Sequence, residues 1–90
     1  MRRKQMDKVI KCVLLDVDNV LITEIVEVIS DIGEPDCKLI NPYQFFGVDE
    51  MIPWPKVSSQ KEVMISSDKI LTIADPIPEV IEKYLELTAE

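Results

Sequence analysis

The stretch Glu62-Val63-Met64-Ile65-Ser66-Ser67-Asp68-Lys69-Ile70-Leu71-Thr72-Ile73-Ala74 decides the fold. Two short apolar runs, 63–65 and 70–74, flank the polar patch 66–69. Serine hydroxyls and aspartate carboxylates hydrogen-bond the backbone two residues on, which favours a turn, and β-branched flanks favour extended chain. The segment predicts a β-hairpin. A lone hairpin is barely stable in water, so it needs further strands or another chain beside it.

Downstream, Asp75-Pro76-Ile77-Pro78 ends the last strand and opens a helix with proline in its first turn. Over 78–88, Val80, Ile81, Tyr84, Leu85 and Thr88 continue an i, i+3, i+4 pattern from Ile77. Glu79 and Glu82 sit near the positive end, and Glu79 can pair with Lys83. This amphipathic helix is expected to pack on the sheet. Upstream, residues 47–60 read as a loop holding Pro53-Trp54-Pro55, with Trp54 either a cap on the core or an exposed stacking platform. Residues 37–46 read as a strand containing Pro42, which cannot donate to a ladder and so requires an edge or a bulge.

Gly33-Glu34-Pro35-Asp36 is a turn signal that would pair this strand with residues 20–32. In that earlier segment Thr23, Glu24, Glu27, Ser30 and Asp31 fall at helical spacing. Eight of its thirteen residues are nevertheless Val, Ile or Thr, whose restricted χ1 favours a pleated sheet, and a strand is the expected state. Residues 9–15 form a further strand, ended by Asp16-Val17-Asp18-Asn19. The chain is thus expected to be all-β with one C-terminal helix: five strands in a strongly bent antiparallel sheet or small open barrel. A basic arm over residues 1–8 precedes it.

Ninety residues make one domain. A chain of this size buries only about 60–65% of its unfolded surface, so assembly would help it. An apolar content of 47% argues against disorder. No apolar run reaches the roughly 18 residues of a membrane span, and no cleavage-like site follows the charged start, so a cytoplasmic location is expected. Cys12 and Cys37 could be paired or free, and without an export signal they read as small reduced hydrophobes. Charge is divided unevenly. Residues 1–12 hold five basic side chains against Asp7, a net of +4, and the remainder holds five against sixteen, a net of −11. Phosphate neutralisation would therefore fall to the arm, through Arg2, Arg3 and Lys4. The plainer reading of the arm is a solvated terminus.

Val13-Leu14-Leu15-Asp16-Val17-Asp18-Asn19-Val20-Leu21 looks like the first motif of haloacid-dehalogenase-type phosphatases, with Asn19 where that family has glycine. In that family one Asp is the nucleophile, the second the acid/base, and carboxylates hold magnesium. The motif also requires a doubly wound parallel sheet, and the only clear helix here is the last element. Two carboxylates in a tight turn are the alternative. The chain has no histidine, which excludes Ser-His-Asp and Cys-His systems, and two distant cysteines make no zinc site. A non-enzyme without a cofactor is expected.

Ile65-Ser66-Ser67-Asp68-Lys69-Ile70 resembles the second Sm signature, with serines in place of its Arg-Gly, and Asp36-Cys37-Lys38-Leu39-Ile40-Asn41 resembles the first. Taken with Gly33-Glu34-Pro35-Asp36, Asn41-Pro42-Tyr43, Pro53-Trp54-Pro55 and Tyr84, the chain is similar to a family of short marine-metagenome proteins of cyanophage origin that share the Sm-like fold. The resemblance implies a homo-oligomeric ring closed by pairing strand 62–66 of one subunit with strand 70–74 of the next. It implies single-stranded RNA or DNA held at the turns after strands two and four, with a role in nucleic-acid processing. The corresponding positions are Asp36, Asn41, Ser66, Ser67 and Lys69, with Tyr43 as a stacking ring. Asn41 could equally be a turn or ladder residue, and Tyr43 a core aromatic. The alternative function is a phage structural or host-interaction scaffold that binds no nucleic acid.

Overall fold

The structure, a computed structural model, describes residues 9–89. β1 (Ile10–Asp16) and β2 (Asn19–Glu27) form an antiparallel hairpin, closed by the pair Asp16 and Asn19 around Val17-Asp18. Asp16 builds that turn. Its carboxylate accepts from the backbone N–H of Asp18 at 2.8 Å and of Asn19 at 2.9 Å, and from the Asn19 side-chain amide. These bonds, the Asn19 amide foremost, hold its carboxyl below the usual range. The Asp-x-Asp sequence is therefore a hairpin turn, and no helix separates β1 from β2.

β2 pairs with β3 (Cys37–Gly47), as the turn at 33–36 predicts, although the strand stops at Glu27 and residues 28–36 form the return loop. β4 (Glu50–Pro53) corrects the expected loop over 47–60 and brings the strand count to six. Gly47 pairs with Glu50 across the two residues Val48 and Asp49, a hairpin hidden by the prolines that follow it. Met51 and Ile52 give this strand a half-buried apolar stretch.

β5 (Glu62–Ile65) and β6 (Thr72–Ala74) correct the predicted hairpin, because they do not pair with one another. β5 pairs with β3, with Val63 opposite Leu39, and β6 pairs with β1, with Ile73 opposite Val13. A 3₁₀ turn over Ser67–Lys69 carries the chain between them. Two short strands paired together would bury little, whereas against β3 and β1 they align with the fully buried Leu39 and Val13. The sheet runs β4-β3-β2-β1-β6, with β5 also on β3. It is an open, bent antiparallel sheet with one C-terminal helix.

The bend centres on a bulge in β3. Ile22 pairs with Tyr43 and Glu24 with Ile40, so Asn41 and Pro42 together face the single residue Thr23. Asn41 takes the left-handed conformation (φ 53°), which Asn tolerates better than most side chains. Beyond the bulge β3 pairs with β4, and before it with β5. Pro42, which has no N–H to offer, lies at the junction between these two partners.

Each face of the sheet carries a core. Val13, Leu21 and Leu39 are fully buried on one, and half-buried Trp54 packs against them, so it caps the core. Burying each aliphatic side chain of this kind stabilises by about 1.5–3 kcal/mol. On the other face Ile22 packs with Val80 and Tyr84 of α1 (Pro78–Thr88), the predicted helix. The Tyr84 hydroxyl lies 2.9 Å from the carbonyl oxygen of Asn41 and 3.1 Å from that of Ile40, tying the helix to the bulge. Cys12 and Cys37 are both free thiols.

Candidate functional site

The loop 28–36 and the 3₁₀ turn meet at one end of the sheet. Pairing of Cys37 with Ile65 brings them there, since each turn adjoins one member of that pair. Gly33 adopts φ 89°, a conformation open chiefly to glycine, and the Glu34 N–H donates to the Asp31 carbonyl at 3.0 Å. The Val28 N–H closes the loop on the Asp36 carbonyl at 2.9 Å. Across the gap, the backbone N–H of Ser67 donates to one Asp36 carboxylate oxygen at 2.7 Å and its Oγ donates to the other at 2.9 Å. These two bonds, the backbone one foremost, hold the Asp36 carboxyl below its usual range.

Between the turns lies a small polar concavity of about 220 Å³, lined by Gly33, Glu34, Asp36, Ser66, Ser67 and Asp68. Three carboxylates and two hydroxyls make it a surface that accepts hydrogen bonds and favours positive charge. Lys69, exposed at the end of the 3₁₀ turn, is the basic side chain of this turn. Cys37 lies next to Asp36, where burial pushes its thiol up, reinforced by the Asp36 and Glu27 charges. It is therefore poorly suited to act as a thiolate nucleophile. Among the described residues, no group of three or more His, Cys, Asp or Glu is placed to hold a metal ion.

Of the predicted site residues, Asp36, Ser66 and Ser67 come together and Lys69 adjoins them. Asn41 and Tyr43 do not join the cluster. Asn41 is the bulge residue, and the Tyr43 ring stands edge-on to Tyr84, with centroids 5.9 Å apart and planes at 87°. The two line a separate cleft of about 260 Å³ with Pro53 and residues 58–61. Arg2, Arg3 and Lys4 lie outside the described residues. The tie between Asp36 and Ser67 escapes sequence reasoning, because each residue reads locally as a turn former and thirty-one positions separate them.

The two borders of the sheet complete the picture. Among the described residues, β6 has no partner beyond β1, and β4 and β5 none beyond β3. Their neighbourhood exposes apolar side chains: Leu71 at 62%, Ile73 at 47% and Met64 at 45%. Unpaired edges that expose apolar side chains are templates for another strand. No helix among the described residues is long and apolar enough to cross a membrane.

A family model described as "Family of unknown function (DUF6561)" matches residues 8–89, nearly the whole chain. The chain belongs to that family. No curated protein matches it.

Proposed function

We propose that this member of the family is a ring-forming Sm-like protein that binds single-stranded nucleic acid, RNA in preference, and serves its processing in the cytoplasm of an infected bacterial host. It works without catalysis or a cofactor.

The observation that carries the assembly is a match between the free edges of β5 and β6. Val63 and Ile65 lie on the face of Leu39, and Ile73 lies on the face of Val13, both faces belonging to one core. If β6 pairs antiparallel with β5 of the next subunit, Ile73 meets Val63 of the partner subunit. The same register sets Leu71 beside Ile65 of the partner subunit and Asp75 beside Lys61 of the partner subunit. Apolar side chains continue the core across the boundary, and opposite charges meet at its rim. A one-residue slip would turn every side chain to the wrong face. Head-to-tail contacts of this type close into a ring when the rotation allows.

For nucleic acid, the support is the convergence of the two turns at one end of the molecule, which a ring would repeat around its axis. Ser66 and backbone groups offer hydrogen bonds, and Lys69 with the basic arm supplies positive charge. The carboxylates of Glu34, Asp36 and Asp68 favour a second reading, in which the ring is a scaffold meeting a protein.

Fluorescence anisotropy with labelled U-rich, A-rich and mixed single strands, at two salt concentrations, separates the two. The first reading expects saturable, salt-sensitive binding that Lys69→Glu weakens. Absence of binding at low micromolar protein and low salt would overturn it in favour of the scaffold.

A further inference from the structure

β4 ends at Pro53 and β5 begins at Glu62, and the cleft of about 260 Å³ opens between them, beside the β3 bulge. Backbone bonds fix its frame. The Asn41 N–H donates to the Lys61 carbonyl at 2.6 Å, the Trp54 N–H to the Pro42 carbonyl at 2.9 Å, and the Ser58 N–H to the Pro55 carbonyl at 3.1 Å. The edge-on contact with Tyr84 positions Tyr43. We infer that this cleft binds a small organic anion, a carboxylate or phosphate ester carried on a compact apolar body.

Three observations argue for that ligand. The first is a set of unspent donors. Among the described residues, the Asn41 carboxamide, the Ser59 hydroxyl and the Lys61 ammonium have no hydrogen bond or ion pair, and all three residues line the cleft. The Ser58 hydroxyl accepts from the Gln60 N–H at 3.1 Å and keeps its own proton to donate. An asparagine in the left-handed region commonly bonds the local backbone through its side chain; at Asn41 that carboxamide is left over. The second is charge. Lys61 is the one charged residue lining the cleft among the described residues, and no carboxylate lines it, in a chain of net charge −7. Glu62, next along the chain, is engaged by Lys38 at 3.4 Å. An unopposed ammonium among neutral donors selects an anion. The third is size. Pro42, Tyr43 and Pro53 give the cleft an apolar side with room for one ring, and a single lysine is too little for a nucleic-acid strand, whose binding rests on neutralising several phosphates.

The test is titration of the nitrogen-labelled full chain with benzoate, phenyl phosphate and neutral benzamide, followed by amide NMR shifts, which also report the fold of each variant. Ligands of about ten heavy atoms should bind in the millimolar to high micromolar range. The inference predicts saturable shifts of the Asn41 carboxamide and the amides of 58–61 with one or both anions, and several-fold weaker ones with benzamide. The tighter anion identifies the head group. Lys61→Gln and Asn41→Gly should each weaken binding several-fold, while Lys56→Gln, on the same loop but off the cleft, should not. The site lies within one subunit and does not rest on the ring. In Ile73→Lys, where Asp75 of the partner subunit cannot compete for Lys61, binding should be equal or tighter, and its loss there would overturn the inference. So would shifts as large with benzamide, or none with either anion up to about 10 mM. A U-rich strand that shifts 58–61 where both anions fail would overturn it too, and would assign the cleft to nucleic acid.

Discussion

Asp36 and Ser67 are joined by two hydrogen bonds across thirty-one positions of sequence, from the serine's backbone N–H and from its hydroxyl. Through them the loop before β3 and the turn after β5 behave as one surface. A carboxylate accepts such bonds far better than a carboxylic acid does, so the contact is tied to pH. The folded state depresses the Asp36 pKa, and the resulting stability is present above the ordinary carboxylate value and lost as pH falls through the folded one. Asp36→Asn should therefore melt below the parent at pH 7, and the gap should close as pH drops below about 4. Thermal melts at both extremes check this. A gap independent of pH would contradict it.

Tyr84 fastens the helix to the bulge. Tyr84→Phe leaves the carbonyls of Ile40 and Asn41 short of a donor and should cost about 1–3 kcal/mol in urea denaturation. Burial pushes the phenol well above its usual range. Its contribution is thus complete below the unfolded value of about 10 and declines as pH rises beyond it. The parent should lose stability above about pH 10 more steeply than Tyr84→Phe. Parallel alkaline profiles would show that the hydroxyl does not anchor the helix.

Asn41 belongs to the bulge through its backbone conformation. Asn41→Gly should be tolerated, because glycine enters the left-handed region freely, whereas Asn41→Val should cost about 1–2 kcal/mol. Chemical denaturation of the two variants distinguishes them. If both lose equally, the carboxamide itself carries the stability.

Much of this architecture is legible in the residues. Pro42 demanded an edge or bulge and occupies a bulge, the β-branched content of 20–32 outweighed its helical polar spacing as far as Glu27, with 28–32 in the return loop, and Pro78 opens the helix. What was not legible is non-local. The apolar runs around Ser66–Lys69 look like partners because they are adjacent in sequence. Their true partners lie elsewhere in the sheet: Val63 stands opposite Leu39 and Ile73 opposite Val13. β4 was masked by Pro53 and Pro55, although Gly47 and Asp49 supply an ordinary turn before it. The acidic site could be suspected residue by residue, but not as a cluster, since nothing local links Asp36 to Ser67.

The edge contact can be broken without disturbing a subunit. Ile73 is 47% exposed, so Ile73→Lys should leave the circular dichroism spectrum and the melt of the isolated subunit nearly unchanged. It should place a buried, unpaired charge opposite Val63 of the partner subunit and abolish assembly. An oligomer that survives this substitution would show that the contact lies elsewhere.

The most direct measurement is the mass of the unmodified full chain by multi-angle light scattering across micromolar concentrations. Pairing of β5 with β6 between subunits predicts one species at a fixed integer multiple of 10.3 kDa, persisting on dilution to low micromolar. A species of 10.3 kDa throughout that range would contradict it.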